Sequence, residues 1–175
     1  MITRYLLHKS IIALTMVLML ISITAIGQGD QEIFDKAYDL YNKGKYKKAI
    51  QMFDQIKDSQ SGNEEYYLIL GLCYSEMGED ENAIPNYDQA LKLNIDYAEA
   101  YYQRGFSRFS LGYNSKAIQD FNQAIRINPE YAEAYLNRGS VKYDARDDRG
   151  ACEDWKKASK LGLSVADNLI REICP

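Results

Sequence analysis

Acid–base, metal and nucleophile chemistry needs titratable side chains held together, and this sequence offers few places where that could happen. His8 is its one histidine, and it lies in an amino-terminal stretch, 1–27, that reads as a removable export signal. The mature chain is therefore expected to have no imidazole base or ligand. Cys73, Cys152 and Cys174 form no C-x-x-C pair, no glycine-rich phosphate loop follows a strand-like run, and Gly27-Gln28-Gly29 belongs to the processing site. Zinc, nucleotide and nucleophilic-triad chemistry are not expected. Carboxylates are plentiful at Glu79, Asp80 and Glu81 and at Asp144, Asp147 and Asp148, but these fall at helix starts and turns, where acids stay solvated and face exposed amides. That placement argues against paired acid–base catalysis. No catalytic, cofactor-binding or metal-binding residue is assigned, and the chain reads as non-enzymatic.

Arg104 and Arg138 are the other side chains with chemical potential, since an arginine fork can clamp a carboxylate. Each is followed sixteen residues later by an aspartate, Asp120 and Asp154, whereas the equivalent positions 34 residues before the first pair hold Leu70 and Asn86. Arginine and aspartate occur together and are missing together. This predicts an ion pair within each structural unit in preference to a ligand clamp.

What places these residues is a repetition. "YAEAYYQRG" at 97–105 returns as "YAEAYLNRG" at 131–139, and a shift of 34 residues aligns four columns. Ala49, Ala83, Ala117 and Ala151 form one; Phe53, Tyr87, Phe121 and Trp155 another; Ile50, Ile84, Ile118 and Cys152 a third; Ala37, Gly71, Gly105 and Gly139 the fourth. Gly44, Gly78 and Gly112 mark a turn midway between the small residue and the alanine, and the last copy has the less flexible Arg146 there. A small residue, a turn glycine, Ala, an aromatic, Ala and Pro at these offsets resemble the tetratricopeptide repeat. The third copy holds all of them, as Gly105, Gly112, Ala117, Phe121, Ala124 and Pro129. Ile95 and Leu163 depart from the proline, Ala37 from the glycine and Ile56 from the second alanine.

Apolar residues such as Leu68, Leu72, Ala83, Tyr87, Ala90 and Leu91 recur at helical spacing without reference to any family. Each copy is thus expected to be two amphipathic helices joined by a short turn, brought close where the glycine of the first meets the alanine of the second. Pro85 falls near the start of its helix and is expected to be tolerated. The resemblance implies an all-α, right-handed helical-hairpin solenoid of four units, 30–63, 64–97, 98–131 and 132–163, filling 28–163 and followed by a capping helix over 164–175. In that last helix Ser164 and Asp167 are expected to cap, with Val165, Leu169 and Ile173 on one stripe.

Cys152 and Cys174 lie eleven residues on either side of Leu163, so an antiparallel helix pair turning there brings both sulfurs to one height. A disulfide is expected if the compartment is oxidising; the alternative is a buried Cys152 beside a free thiol. Cys73 is expected to pack as a small hydrophobe.

Residues 1–27 carry Arg4 and Lys9 and no acid, then an apolar run of about sixteen residues from Ile11 and the small pair in Ala25-Ile26-Gly27. This pattern fits a cleaved signal, with a retained anchor as the alternative. Its style resembles signals of Gram-negative Bacteroidota-type bacteria, which implies an exported protein of the periplasm or cell envelope, touching membrane only through the signal if uncleaved. The rest holds 19 basic against 25 acidic side chains. That balance argues against nucleic acid or anionic lipid as a partner.

A partner surface is sought on the first helix of each copy. Phe34, Tyr38 and Tyr41 stand beside the stripe that meets the second helix, and Tyr102, Phe106 and Phe109 repeat the arrangement, with Tyr143 in the last copy. The resemblance implies that this line faces a concave surface, giving an aromatic trough edged by Glu65, Glu99 and Glu133. The alternative is that these residues pack between neighbouring repeats. The expected function is a binding scaffold for another protein or peptide, with a glycan-binding accessory of the envelope as the rival and no cofactor in either case. The family's basic clamp for chaperone tails is not expected, because the acidic column occupies part of it.

Overall fold

The computed structural model describes residues 28–174, in which the regular structure is helical. Residues 1–27, read above as an export signal, lie outside the described residues. The chain divides between Ser59 and Gln60 into two compact units.

Among the described residues the first unit is one hairpin. Helix α1 runs through 28–42, the chain turns at Gly44, and α2 spans Tyr46–Phe53 before a single 3-10 turn, Asp54–Ile56. Its core is Phe34, Ala37, Ala49, Phe53 and Ile56. The second helix is shorter than its repeat partners, eight residues where α4 has 14. Ile56 takes the place of an alanine that is fully buried in each other copy, Ala90, Ala124 and Ala158, and its bulk is accommodated in the tighter turn. The Ser59 hydroxyl then donates to the Ile56 carbonyl at 2.9 Å, satisfying an acceptor that a continuing helix would have used.

The second unit holds three hairpins and a last helix. They are α3 (Glu64–Glu76) with α4 (Asp80–Leu93), α5 (Ala98–Ser110) with α6 (Asn114–Ile127), α7 (Ala132–Asp144) with α8 (Asp148–Lys160), and then α9 (Val165–Ile173). Each hairpin closes by laying a ring on a glycine. A Cβ added to Gly71 would stand 2.5 Å from the Tyr87 ring, one on Gly105 3.0 Å from Phe121, and one on Gly139 2.7 Å from Trp155. Ala83, Ala117 and Ala151 beside these rings are fully buried. The pairing of a small residue with a large one is what lets two helices touch along their backbones.

The starts of α3 and α8 are fixed by side chains that accept exposed amides. Asn63 Oδ1 accepts from the amides of Glu65 and Tyr66, and Asp147 Oδ1 from that of Gly150 at 3.0 Å. Turns need a left-handed residue, which Gly78 and Gly112 supply at φ 73° and 76°, while Arg146 adopts the same conformation at φ 67° despite its side chain. Helix α4 continues through Pro85, its sixth residue, to Leu93. The proline lies past the first turn, so the helix runs on with one amide donor missing.

Gly162, at φ 98°, reverses the chain into α9. The expected Ser164–Asp167 capping does not form: Ser164 makes no side-chain cap, and Asp167 Oδ1 accepts from the Ser159 hydroxyl at 2.6 Å. The buried stripe also differs. Val165 is exposed, and Ala166, Leu169, Ile170 and Ile173 pack on Ala151, Cys152, Trp155 and Ala158. Cys152 and Cys174 are joined in a disulfide, Cα to Cα 5.8 Å, which ties the end of α9 to α8. Cys73 is buried and free, and burial pushes its thiol up to about 12, so it stays protonated.

Candidate partner-binding surface

The arginines serve the scaffold. Arg104 Nε and Nη2 reach Asp120 at 3.1 and 2.7 Å, its Nη1 reaches Asp88 at 2.6 Å, and Arg108 adds a third nitrogen on Asp120 at 2.7 Å. Arg138 grips Asp154 at 2.8 and 2.5 Å and Asn122 at 2.6 Å, with Lys142 on Asp154 at 2.7 Å. Asp120 and Asp154 are buried. Burial opposes the charge of Arg104, but the hydrogen bonds and charges of Asp120 and Asp88 outweigh it and raise its pKa above the usual arginine value. The guanidinium carbons also stand 5.4 Å from the Tyr101 and Tyr135 ring centres. The predicted pairs are therefore present, and each arginine also reaches back to the preceding hairpin. The signal for that second reach lies in the period, since Asp88 and Asn122 occupy one column sixteen residues before the arginines.

The seven aromatics of the expected trough divide. Three fall in the first unit. Phe34 is 7% exposed and lies edge-on to Phe53, ring centres 5.5 Å apart, so it belongs to the core of its own hairpin and is corrected as a groove residue. Its column faces the partner helix more than the sequence spacing suggests, and Leu68, one copy on, is buried as well. Tyr38 is exposed with its ring stacked on Tyr41 at 6.1 Å, and Tyr41 is half-buried near Tyr46.

The other four fall in the second unit. Tyr102 is half-buried, 4.8 Å from Tyr131 and 5.9 Å from Phe121, and its hydroxyl accepts from Asn137 Nδ2 at 2.9 Å. Phe109 packs beside it on Ala117, Phe121 and Val141. Phe106 and Tyr143 are open, 42% and 37% exposed, Tyr143 resting 5.7 Å from Trp155. Of these four rings on α5 and α7, two are thus packed and two open.

Acids stand at the feet of these helices. Glu65, Glu99 and Glu133 each occupy the first turn of α3, α5 and α7, where a helix start favours negative charge. Partial burial and then Glu65 push the Glu99 carboxyl above its usual range. Burial, followed by Glu99, Glu65 and Glu64, pushes Tyr97 up to about 12. Burial, then Glu99, Tyr102 and Glu133, raises Tyr131 likewise. Tyr97 and Tyr131 were not assigned a role from sequence, although the repeated phrase begins with each. Among the described residues no three His, Cys, Asp or Glu side chains gather for a metal ion, and no helix is long and apolar enough to cross a membrane.

Similarity to known proteins agrees with this architecture. A family model described as TPR repeat matches residues 71–112 and 107–145. The crystal structure of MamA protein is 25% identical, with 81% of this chain and 82% of that one covered at a TM-score of 0.73. YrrB, described as a TPR protein with an unusual peptide-binding site, is 22% identical over 81% of this chain and 74% of its own, TM-score 0.73. The first TPR of Spaghetti (RPAP3), bound to the HSP90 peptide SRMEEVD, is 23% identical over 68% and 94%, TM-score 0.65. No curated protein matches the sequence.

Proposed function

We propose that this chain, built of tetratricopeptide-type helical hairpins, is a non-enzymatic scaffold that binds a protein or peptide along α5 and α7 of its second unit. Tetratricopeptide folds generally serve as protein- and peptide-binding scaffolds, and YrrB and the RPAP3 domain are peptide-binding examples by their descriptions. The observation that carries the reading is the pair of open rings, Phe106 on α5 between the packed Tyr102 and Phe109, and Tyr143 on α7. Large rigid rings held in place by packed neighbours are what interfaces use as anchors. We place this activity beyond the cytoplasmic membrane, in the periplasm or cell envelope. The pattern of 1–27 supports that placement, as does the Cys152–Cys174 bridge, a bond that persists in oxidising compartments. Amino-terminal sequencing of native protein is expected to begin near Gln28.

Photocrosslinking tests the surface. A benzophenone side chain at Phe106 is expected to give an adduct with a discrete protein or peptide in native envelopes, and one at the exposed Glu81 of α4 is not. Phe106→Ala and Tyr143→Ala should weaken binding of the purified partner by about 1–2 kcal/mol each while Tm moves little. Equal adducts from both positions, or retention only on envelope polysaccharide, would reject a protein or peptide ligand.

A further inference from the structure

Helices α3, α5 and α7 hold four basic side chains, Arg104, Arg108, Arg138 and Lys142. All four are committed to Asp120 or Asp154 on α6 and α8. Three acids of the same helices are left unbalanced: among the described residues Glu65, Glu99 and Glu133 have no cation within ion-pair distance. They recur every 34 residues, one per hairpin, each in the first turn of its helix. Glu99, Tyr102 and Phe106 follow at i, i+3 and i+7, so acid and rings share one face of α5.

Resting on the peptide-binding role above, we propose that the partner is a cationic peptide whose apolar side chains lie against Phe106 and Tyr143 while its lysines or arginines meet Glu99, Glu133 and Glu65. Charge complementarity selects this occupant. A row of unpaired carboxylates repels acidic segments and lowers its own repulsion when a cation is inserted. Burial and Glu65 already disfavour the charge on Glu99, so a bound cation relieves a cost present in the free protein. Nothing in the hairpin packing requires an acid in this column, since the rings and glycines close each hairpin without it.

The test uses the mature chain and three fluorescein-labelled dodecapeptides of alternating leucine with lysine, glutamine or glutamate, read by anisotropy. The lysine peptide is expected to bind, the glutamine peptide at least about fivefold more weakly, and the glutamate peptide not measurably. Glu99→Gln with Glu133→Gln should weaken the lysine peptide about fivefold or more, and raising salt from about 50 mM to about 300 mM should erase most of the difference. The control Glu81→Gln, on the exposed start of α4, should change nothing. If the glutamine or glutamate peptide binds as well as the lysine one and Phe106→Ala abolishes it, the surface binds peptides and the cationic preference falls. If no peptide binds, or binding ignores Phe106, both the preference and the peptide-binding surface fall.

Discussion

Hairpins α3/α4 and α5/α6 close on the same contact, an aromatic ring over a glycine, but differ in what stands beside it. In α5/α6 the flank is ionic, with Arg104 and Arg108 sharing the buried Asp120. In α3/α4 the three equivalent positions hold Leu70, Tyr74 and Asn86, and Leu70 is buried. Two chemistries support one backbone geometry. The ring-on-glycine contact therefore defines the hairpin, and the flank is free to be apolar or ionic provided it is complete.

Breaking one partner of the ionic flank should have the largest effect. Asp120→Ala leaves two mostly covered guanidinium groups without their carboxylate, and a loss of about 3–4 kcal/mol is expected in urea unfolding. Replacing all three, Arg104→Leu, Arg108→Tyr and Asp120→Asn, copies the α3/α4 flank and should cost clearly less than the single change. A triple variant as unstable as Asp120→Ala would show that the two flanks are not interchangeable.

The shared contact comes next. Gly71→Ala places a methyl group 2.5 Å from the Tyr87 ring and should lose about 2 kcal/mol despite the better helix propensity of alanine. Gly105→Ala, at 3.0 Å from Phe121, should lose about half as much. Equal melting of the two variants would mean that the ring contacts do not set the approach.

A smaller effect of opposite sign is expected at the turn of α7/α8, where Arg146 takes the conformation that Gly112 takes in α5/α6. Arg146→Gly should stabilise the protein by up to about 1 kcal/mol, and Gly112→Arg should destabilise it by a similar amount.

The smallest effect concerns Glu99. Its folded pKa lies above the ordinary 4.5, so the folded state binds the proton more tightly. Its contribution to stability is full below pH 4.5 and is lost as pH rises through the raised value. Glu99→Gln is accordingly expected to melt slightly higher than the native protein at pH 7 and together with it at pH about 4. A lower Tm at pH 7 would mean that the carboxylate stabilises the fold.

Much of the scaffold was legible because the period stacks weak signals: one glycine before an aromatic says little, but three aligned glycines and an alanine specify a contact. The Arg–Asp pairs were legible through their joint absence in the second copy. Other features depend on what a neighbouring element supplies, which no column records. Phe34 reads as a surface residue until Phe53 is seen to meet it edge-on. Ser164 and Asp167 read as a cap until the Ser159 hydroxyl takes the aspartate. Of the expected trough, the open rings Phe106 and Tyr143 cannot be told from the packed Tyr102 and Phe109 by spacing, since all four lie on the same side of their helices.

The link between Cys152 and Cys174 also has a mechanical meaning. Tension applied to the carboxyl end enters at Cys174 and passes through the sulfurs into α8, skipping the 21 residues between the two cysteines. Helix α9 is therefore outside the load path while the bond is oxidised. A pull from that end is borne by the start of α8 up to Cys152, where the Ala151 carbonyl lies against Gly139. Once the bond is reduced, the same pull peels α9 away first and uncovers the apolar flank of Ala151, Ala158 and Trp155.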